Sequence, residues 1–142
     1  MFRDDATRLL VFGLGGERFG VPLAEVEEVI GAPVVERSPD FPPPALGTTN
    51  IRGDEVIVYD SRPLLNVEGS VDDALLLLTY RGRRVGLAVG ALQDTIVAEA
   101  GEIRAVPGAE VSDKVLRGLI RRGFELIAVI DVDELMEAAT NG

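Results

Sequence analysis

Apolar residues in this chain are concentrated in short runs that are separated by turn residues. Residues 8–14 and 74–80 are almost continuously apolar, whereas residues 19–23 and 85–89 alternate large and small side chains. Runs of this length are typical of buried and half-buried strands. Gly15-Gly16 follows the first run as a turn signal. The pattern therefore predicts antiparallel strands joined by tight turns.

Residues 46–60 predict a further hairpin, with its turn at Arg52-Gly53-Asp54 and a second strand rich in β-branched residues. Gly53 suits the positive φ that hairpin turns often require. Asn50 can hydrogen-bond to nearby backbone and hold the approach to the turn. The sequence thus predicts one arginine, Arg52, held beside a stiff corner. The alternative is that Arg52 is an ordinary solvated turn residue.

The other segments predict a mixture of short strands, a proline-rich connector and two short helices. Pro22 favours one helical turn, and Asp60 and Asp131 are suited to cap helices that follow them. The expected elements are a strand over about 28–37, an extended connector over 38–45, a helix over 61–66, one or two short strands around 96–97 and 103–104, a hairpin of 116–120 with 125–130, and a closing helix after residue 131.

An internal repeat is visible when Phe19-Gly20-Val21 is placed over Val85-Gly86-Leu87. Without a gap, Arg18 then falls on Arg84. Separately, the later strand that ends at Asp60 falls on the strand that ends at Asp131. The repeat predicts one small all-β unit used twice within a single domain, with subdomains at about 8–66 and about 72–138. Units of this size are marginally stable alone, so the two are expected to share a buried seam.

Composition excludes several kinds of function. The chain has 142 residues, a formal net charge of −10, and neither histidine nor cysteine. The charge repels nucleic-acid backbones. Without His or Cys there is no disulfide, no thiol chemistry and no common zinc site. No apolar run reaches the roughly 18–20 residues of a membrane span, and no signal-peptide pattern is visible, so we expect no membrane insertion.

Carboxylates are the remaining candidates for catalytic chemistry. They cluster at Glu25, Glu27 and Glu28, and again at Asp131, Asp133 and Glu134. A carboxylate-bound metal or an acid–base pair would make the chain a metal-dependent enzyme. Helix-end capping and a solvated acidic face explain the clusters better. No glycine-rich loop has the context of a phosphate-binding site, so the sequence favours a binding module without a cofactor.

Three motifs then point to a family. The first joins Phe19-Gly20-Val21 to Val26-Glu27-Glu28-Val29, the second runs from Pro42 through Gly47 to Thr49-Asn50-Ile51-Arg52-Gly53, and the third is Arg84-Val85-Gly86-Leu87-Ala88-Val89. Together and in this order they resemble the CheW adaptor family of bacterial and archaeal chemotaxis, over almost all of residues 9–135. Each motif alone is weak, whereas the ordered set is specific.

The resemblance implies an all-β fold of two five-stranded SH3-like β-barrels packed on a shared core, with a few short helices. It implies a cytoplasmic, non-enzymatic adaptor, monomeric in isolation, that joins chemoreceptor tips to the regulatory domain of a CheA-type histidine kinase. The implied partner-binding positions are Val26, Glu28, Asn50, Arg52, Val85 and Leu92. The apolar ones would grip a helix in a groove, although ordinary core packing is the alternative explanation for them.

Five positions depart from the family pattern. They are Thr48, Glu55, Ile57, Ser61 and Gly90. We expect the fold to tolerate these departures, but Glu55 and Ser61 affect positions that are usually apolar. An alternative hypothesis is therefore a CheW-like scaffold that serves a different signalling cluster, in motility or development.

Overall fold

The computed structural model describes residues 6–105 and 114–141, and in these residues short strands dominate. The predicted mainly β fold with a few short helices is confirmed. The elements are β1 (Thr7–Leu14), β2 (Glu17–Pro22), β3 (Val26–Gly31), β4 (Glu36–Arg37), β5 (Ala45–Ile51), β6 (Asp54–Asp60), α1 (Ser61–Leu65), β7 (Ala74–Tyr80), β8 (Arg83–Val89), β9 (Leu92–Ala98), β10 (Leu116–Arg122), β11 (Glu125–Ile130) and α2 (Val132–Asn141).

Two of the predicted strands are wrong in extent. The strand expected over 28–37 is broken because Ala32, whose N–H still bonds to the carbonyl of Asp73 in the β3–β7 register, takes a positive φ of 46°. Pro33, which has no N–H, follows directly. The strand expected near 103–104 is reduced to a single bridge between Arg104 and Leu119.

The strands form two sheets, and neither sheet is made from one continuous half of the chain. One sheet has the order β10-β11-β2-β1-β9, and the other has the order β3-β7-β8-β6-β5-β4. The hairpin β1–β2 therefore lies among strands of the second repeat, and the hairpin β7–β8 lies among strands of the first. The sequential division at about 66–72 separates the two repeats but does not separate the two sheets.

The register of the strands shows that the two repeats exchange their hairpins in equivalent ways. In the parallel pair of β11 with β2, Val129 lies opposite Gly20. In the parallel pair of β6 with β8, Val58 lies opposite Gly86. Gly20 and Gly86 are equivalent positions of the repeat, and so are the strands that face them. Each hairpin thus completes the sheet of the other repeat.

The core explains why the run of leucines in β7 has no polar interruption. Leu75, Leu76, Leu77 and Leu78 are all at most 1% exposed, so β7 is covered on both of its faces. The larger apolar cluster combines residues of both sheets with Leu135 and Met136 of α2. A smaller apolar cluster around Ile127 is formed by buried side chains of the five-stranded sheet. The predicted shared seam is therefore present.

Both predicted helix caps are present. The Asp60 carboxylate accepts a hydrogen bond of 2.9 Å from the N–H of Arg62 at the start of α1. The Asp131 carboxylate accepts one of 3.1 Å from the N–H of Glu134 in α2. Each aspartate thus turns the chain from the last strand of its repeat into a helix that lies on the core.

Candidate functional site

The β5–β6 turn has the geometry that the sequence predicted. Arg52 and Gly53 have positive φ values of 50° and 92°, as the two central residues of a type I′ hairpin turn do. The side-chain oxygen of Asn50 accepts a hydrogen bond of 2.9 Å from the N–H of Gly53. The backbone of Arg52 is therefore fixed by local interactions before any partner arrives.

The side chain of Arg52 forms a two-pronged ion pair with Glu28. Its Nη2 lies 2.7 Å from Oε1 of Glu28, and its Nη1 lies 3.2 Å from Oε2. β3, which carries Glu28, is at one end of the six-stranded sheet, whereas the turn of Arg52 is close to the other end. The pair therefore bridges two distant strands of a curled sheet, and it remains at the surface, with 61% of the Arg52 side chain exposed.

A second arginine lies beside this pair and was not among the predicted site residues. Arg84 of β8 has Nε 3.6 Å from a carboxylate oxygen of Glu27 and Nη1 3.7 Å from one of Asp54. Together with Arg52 and Glu28 these residues form a charged surface, called here the arginine–carboxylate row.

The internal repeat contains the signal that would have identified Arg84. Its equivalent is Arg18, whose side chain bonds to Gln93 and Glu125 in the five-stranded sheet. Gln93 and Glu125 are the repeat equivalents of Glu27 and Asp54. The same bridging arrangement therefore occurs once on each sheet, and the sequence already placed the two arginines in register.

The three apolar positions of the predicted site do not come together as one surface. Val26 and Val85 lie on either side of Leu78, in the neighbouring strands β3, β7 and β8. Val85 is only 7% exposed and belongs to the core. Leu92 is on β9 of the other sheet, 37% exposed and opposite Phe12. The structure thus brings together Glu28, Asn50 and Arg52, places Val26 and Val85 nearby, and separates Leu92 from them.

An open groove of about 700 Å³ adjoins the arginine–carboxylate row. Ile57, Tyr59 and Tyr80 contribute apolar surface to its wall, and Glu55 and Arg83 contribute charges. Ile57 and Glu55 are two of the departures from the family pattern. The groove is therefore amphipathic, and Glu55 adds a charge to it where the family pattern is usually apolar.

Two other departures have structural explanations. Ser61 is fully buried, and its hydroxyl donates a hydrogen bond of 2.7 Å to the carbonyl of Ala88, so its polar group is satisfied. A side chain at position 90 would place its Cβ 1.9 Å from the carbonyl oxygen of Gly13. Only glycine fits at position 90 without a shift of the backbone.

The acidic cluster of Glu25, Glu27 and Glu28, at and just before the start of β3, is arranged as ion pairs with separate arginines. Besides the contacts of Glu27 and Glu28, Glu25 lies 4.0 Å from Arg117. Partial burial raises the pKa of Glu25. In the residues that the structure describes, no three carboxylates lie close enough together to hold a metal ion.

We expect the carboxyl group of Glu28 to titrate below its ordinary range. The hydrogen bonds from Arg52 lower the pKa of Glu28, so the ionised pair is present at neutral pH and is lost as pH falls through that lowered pKa. Carbon-detected NMR titration of Glu28 measures the midpoint. In Arg52→Ala the midpoint should rise towards the ordinary value, and an unchanged midpoint would show that the pair does not form in solution.

Comparison with known proteins gives a consistent result. The family model described as "CheW-like domain" matches residues 8–140. The chain belongs to the CheW-like domain family. The chemotaxis protein CheW of Klebsiella aerogenes is 29% identical over 134 residues, covering 91% of this chain and 81% of that protein. CheW of Bacillus subtilis is 23% identical over 135 residues, covering 92% and 86%.

The solved structures agree with the CheW-like fold. The scaffolding protein TtCheW from Thermoanaerobacter tengcongensis superposes with a TM-score of 0.80, at 23% identity and with 92% of each chain covered. The predicted family and the prediction of a non-enzymatic CheW-like module are confirmed by the family match. Among the described residues, no helix is long and apolar enough to cross a membrane.

Proposed function

We propose that this CheW-like protein is a cytoplasmic adaptor that couples chemoreceptor tips to the regulatory domain of a CheA-type histidine kinase. The relatives named above are chemotaxis proteins, and the solved neighbour is a scaffolding protein. The observation that carries the proposal is the exposed Arg52–Glu28 pair on a rigid turn. It occupies positions that the family resemblance assigns to partner binding.

The physical properties of the pair suit recognition better than stability. An exposed ion pair contributes about 0–1 kcal/mol to folding, and this pair is at the surface, with 61% of the Arg52 side chain and 39% of the Glu28 side chain exposed. A planar guanidinium can instead bind a carboxylate or backbone carbonyls of a partner with two parallel hydrogen bonds. Because the turn already fixes the backbone of Arg52, little flexibility remains to be lost on binding.

The adjoining groove suits a partner helix. Its lining includes Ile57, Tyr59 and Tyr80, and their apolar surface would accommodate the apolar face of an amphipathic helix. Val85, which is almost fully buried, also lines this groove. In this arrangement Val85 packs in the core beneath the groove. Arg52, Glu28 and Asn50 supply polar contacts to the partner beside the groove.

We expect Arg52→Ala to weaken binding to a receptor-tip fragment or to a CheA regulatory domain by about tenfold or more, as loss of a central interface arginine does. The melting temperature should be nearly unchanged because the residue is exposed. Calorimetric titration against each partner and a thermal melt measure the two effects.

Arg37→Ala is the matched control. Arg37 also forms an exposed ion pair, with Asp72, on the same sheet, but it is not among the proposed binding positions. Its loss should leave both affinities within about twofold. Equal affinities for Arg52→Ala and the unmodified protein would contradict the role of Arg52, and absence of binding by the unmodified protein would contradict the proposed function.

A further inference from the structure

Three segments of the chain meet backbone to backbone at the tip of the β1–β2 hairpin. The N–H of Gly13 donates a hydrogen bond of 2.8 Å to the carbonyl of Ala91. A Cβ atom added at Gly15 would lie 2.3 Å from the carbonyl oxygen of Glu68, and one added at Gly69 would lie 2.9 Å from the nitrogen of Gly15. We call this meeting point the glycine junction.

The glycine junction contains two kinds of contact. Gly13 meets Gly90 and Ala91, so this contact joins the first repeat to the second. Gly15 meets Glu68 and Gly69, which belong to the link between the repeats, residues 66–73. The link is also held by a hydrogen bond of 2.9 Å from Arg62 to the carbonyl of Gly69 and by the buried side chain of Val71.

Because the repeats exchange their hairpins, the contact between the two repeats and the contact with the link have different consequences. β1 and β2 are completed by β9 and β11, and β7 and β8 are completed by β3 and β6. These pairings join a first repeat to a second repeat, whether the two repeats belong to the same chain or to two copies of it. Only the path of the link through the glycine junction requires both repeats to belong to the same chain.

We propose that the glycine junction selects the monomer over an exchanged dimer, in which the first repeat of one copy is completed by the second repeat of another copy. In such a dimer every strand pair of the monomer is kept, including the contact of Gly13 with Gly90. The link instead runs between the two folded bodies, so Glu68 is free to move away from Gly15. Exchange of this kind is a low-cost route to dimers when a hinge is disturbed.

Three alanine substitutions test the proposal. Gly15→Ala crowds the link and should give a dimer. Gly16→Ala is the matched control, because Gly16 also has a positive φ, 79°, but its Cβ would meet nothing within 4 Å. Gly90→Ala crowds Gly13 at a contact that monomer and dimer share, so it should lower stability without producing a dimer. Each variant is refolded from denaturant at high protein concentration, and its molar mass is measured by light scattering.

The expected result is a doubled molar mass for Gly15→Ala and the monomer mass for the two other variants. If Gly15→Ala does not fold, the chain lacking residues 68–70 decides, because a second copy should complete it as a dimer. A folded monomer of Gly15→Ala overturns the proposal. If that variant does not fold, a shortened chain that is a monomer, or that does not fold at any concentration, overturns it.

Cleavage of the link identifies the kind of dimer. A protease site inserted at Ser70 in the Gly15→Ala chain allows the link to be cut after refolding. An exchanged dimer then separates into two bodies of monomer mass, because only the two links join them. A dimer that keeps its mass after complete cleavage is held by surface contacts, which contradicts the exchange.

Discussion

Residues 1–69 and residues 70–142, produced separately, are expected to show no cooperative melt and to recover the native fold when they are mixed. The reason is the exchange of hairpins between repeats. In the first fragment, β2 lacks the parallel partner β11 and β1 lacks β9. In the second, β8 lacks β6 and β7 lacks β3. Each fragment therefore has unpaired backbone groups as well as an open apolar core.

Thermal melts followed by circular dichroism measure this effect, first on each fragment and then on an equimolar mixture. Light scattering should show that the mixture forms a one-to-one complex with the mass of the intact chain. A cooperative melt of residues 1–69 alone, close to that of the whole protein, would show that the first repeat has a complete core. Failure of the mixture to fold would show that the link is needed for folding itself.

The second large effect is expected for Phe12→Ala. The Phe12 side chain is 0% exposed, and its ring stacks on that of Phe19 with 5.6 Å between centroids. Loss of a buried phenylalanine costs about 3–5 kcal/mol. This is a large part of the 5–15 kcal/mol that stabilises a typical domain, so the variant should be unfolded or close to unfolding at ambient temperature.

Phe124→Ala removes the same side chain from a site that is fully exposed and is the matched control. It should change the free energy of unfolding by no more than about 0.5 kcal/mol. Urea denaturation of the two variants and the unmodified chain gives both values. Equal losses of stability in the two variants would mean that Phe12 does not pack as described.

The sequence predicted most strands and the β5–β6 turn because these depend on local chemistry. The alternation of apolar and polar side chains indicates which residues are buried. The turn depends on local interactions, namely the hydrogen bond between the Asn50 side chain and the N–H of Gly53 and the positive φ of Gly53. The exchange of hairpins was not predictable in this way. The periodicity of a strand is the same whichever strand pairs with it. The sequence therefore predicted a boundary between subdomains at about 66–72, without the exchange of hairpins across it.

The sequence predicted only part of the candidate site, because local motifs identify some of its residues and pairing between distant strands identifies the others. Glu28, Asn50 and Arg52 were found together because the family motifs place them, whereas Arg84 needed a comparison of its equivalent, Arg18, in the repeat. Leu92 is the repeat equivalent of Val26, which explains why both are at the start of similar strands and yet on different sheets. The break after β3 depends on the positive φ of Ala32, for which an alanine gives no local signal.

The exchanged hairpins also determine the order in which the protein can be completed during its synthesis. The β1–β2 hairpin ends at Pro22, whereas β9, which pairs with β1, begins only at Leu92, and β11, which pairs with β2, begins only at Glu125. At ordinary rates of translation the first hairpin waits on the order of ten seconds for its partners. During that time its apolar side chains and its free strand edges are accessible to other nascent chains. Residues 1–91, which are made before β9, already carry 14 Asp and Glu side chains against 9 Arg. Their net negative charge opposes such encounters by mutual repulsion, so the acidity of the chain also protects it while it is incomplete.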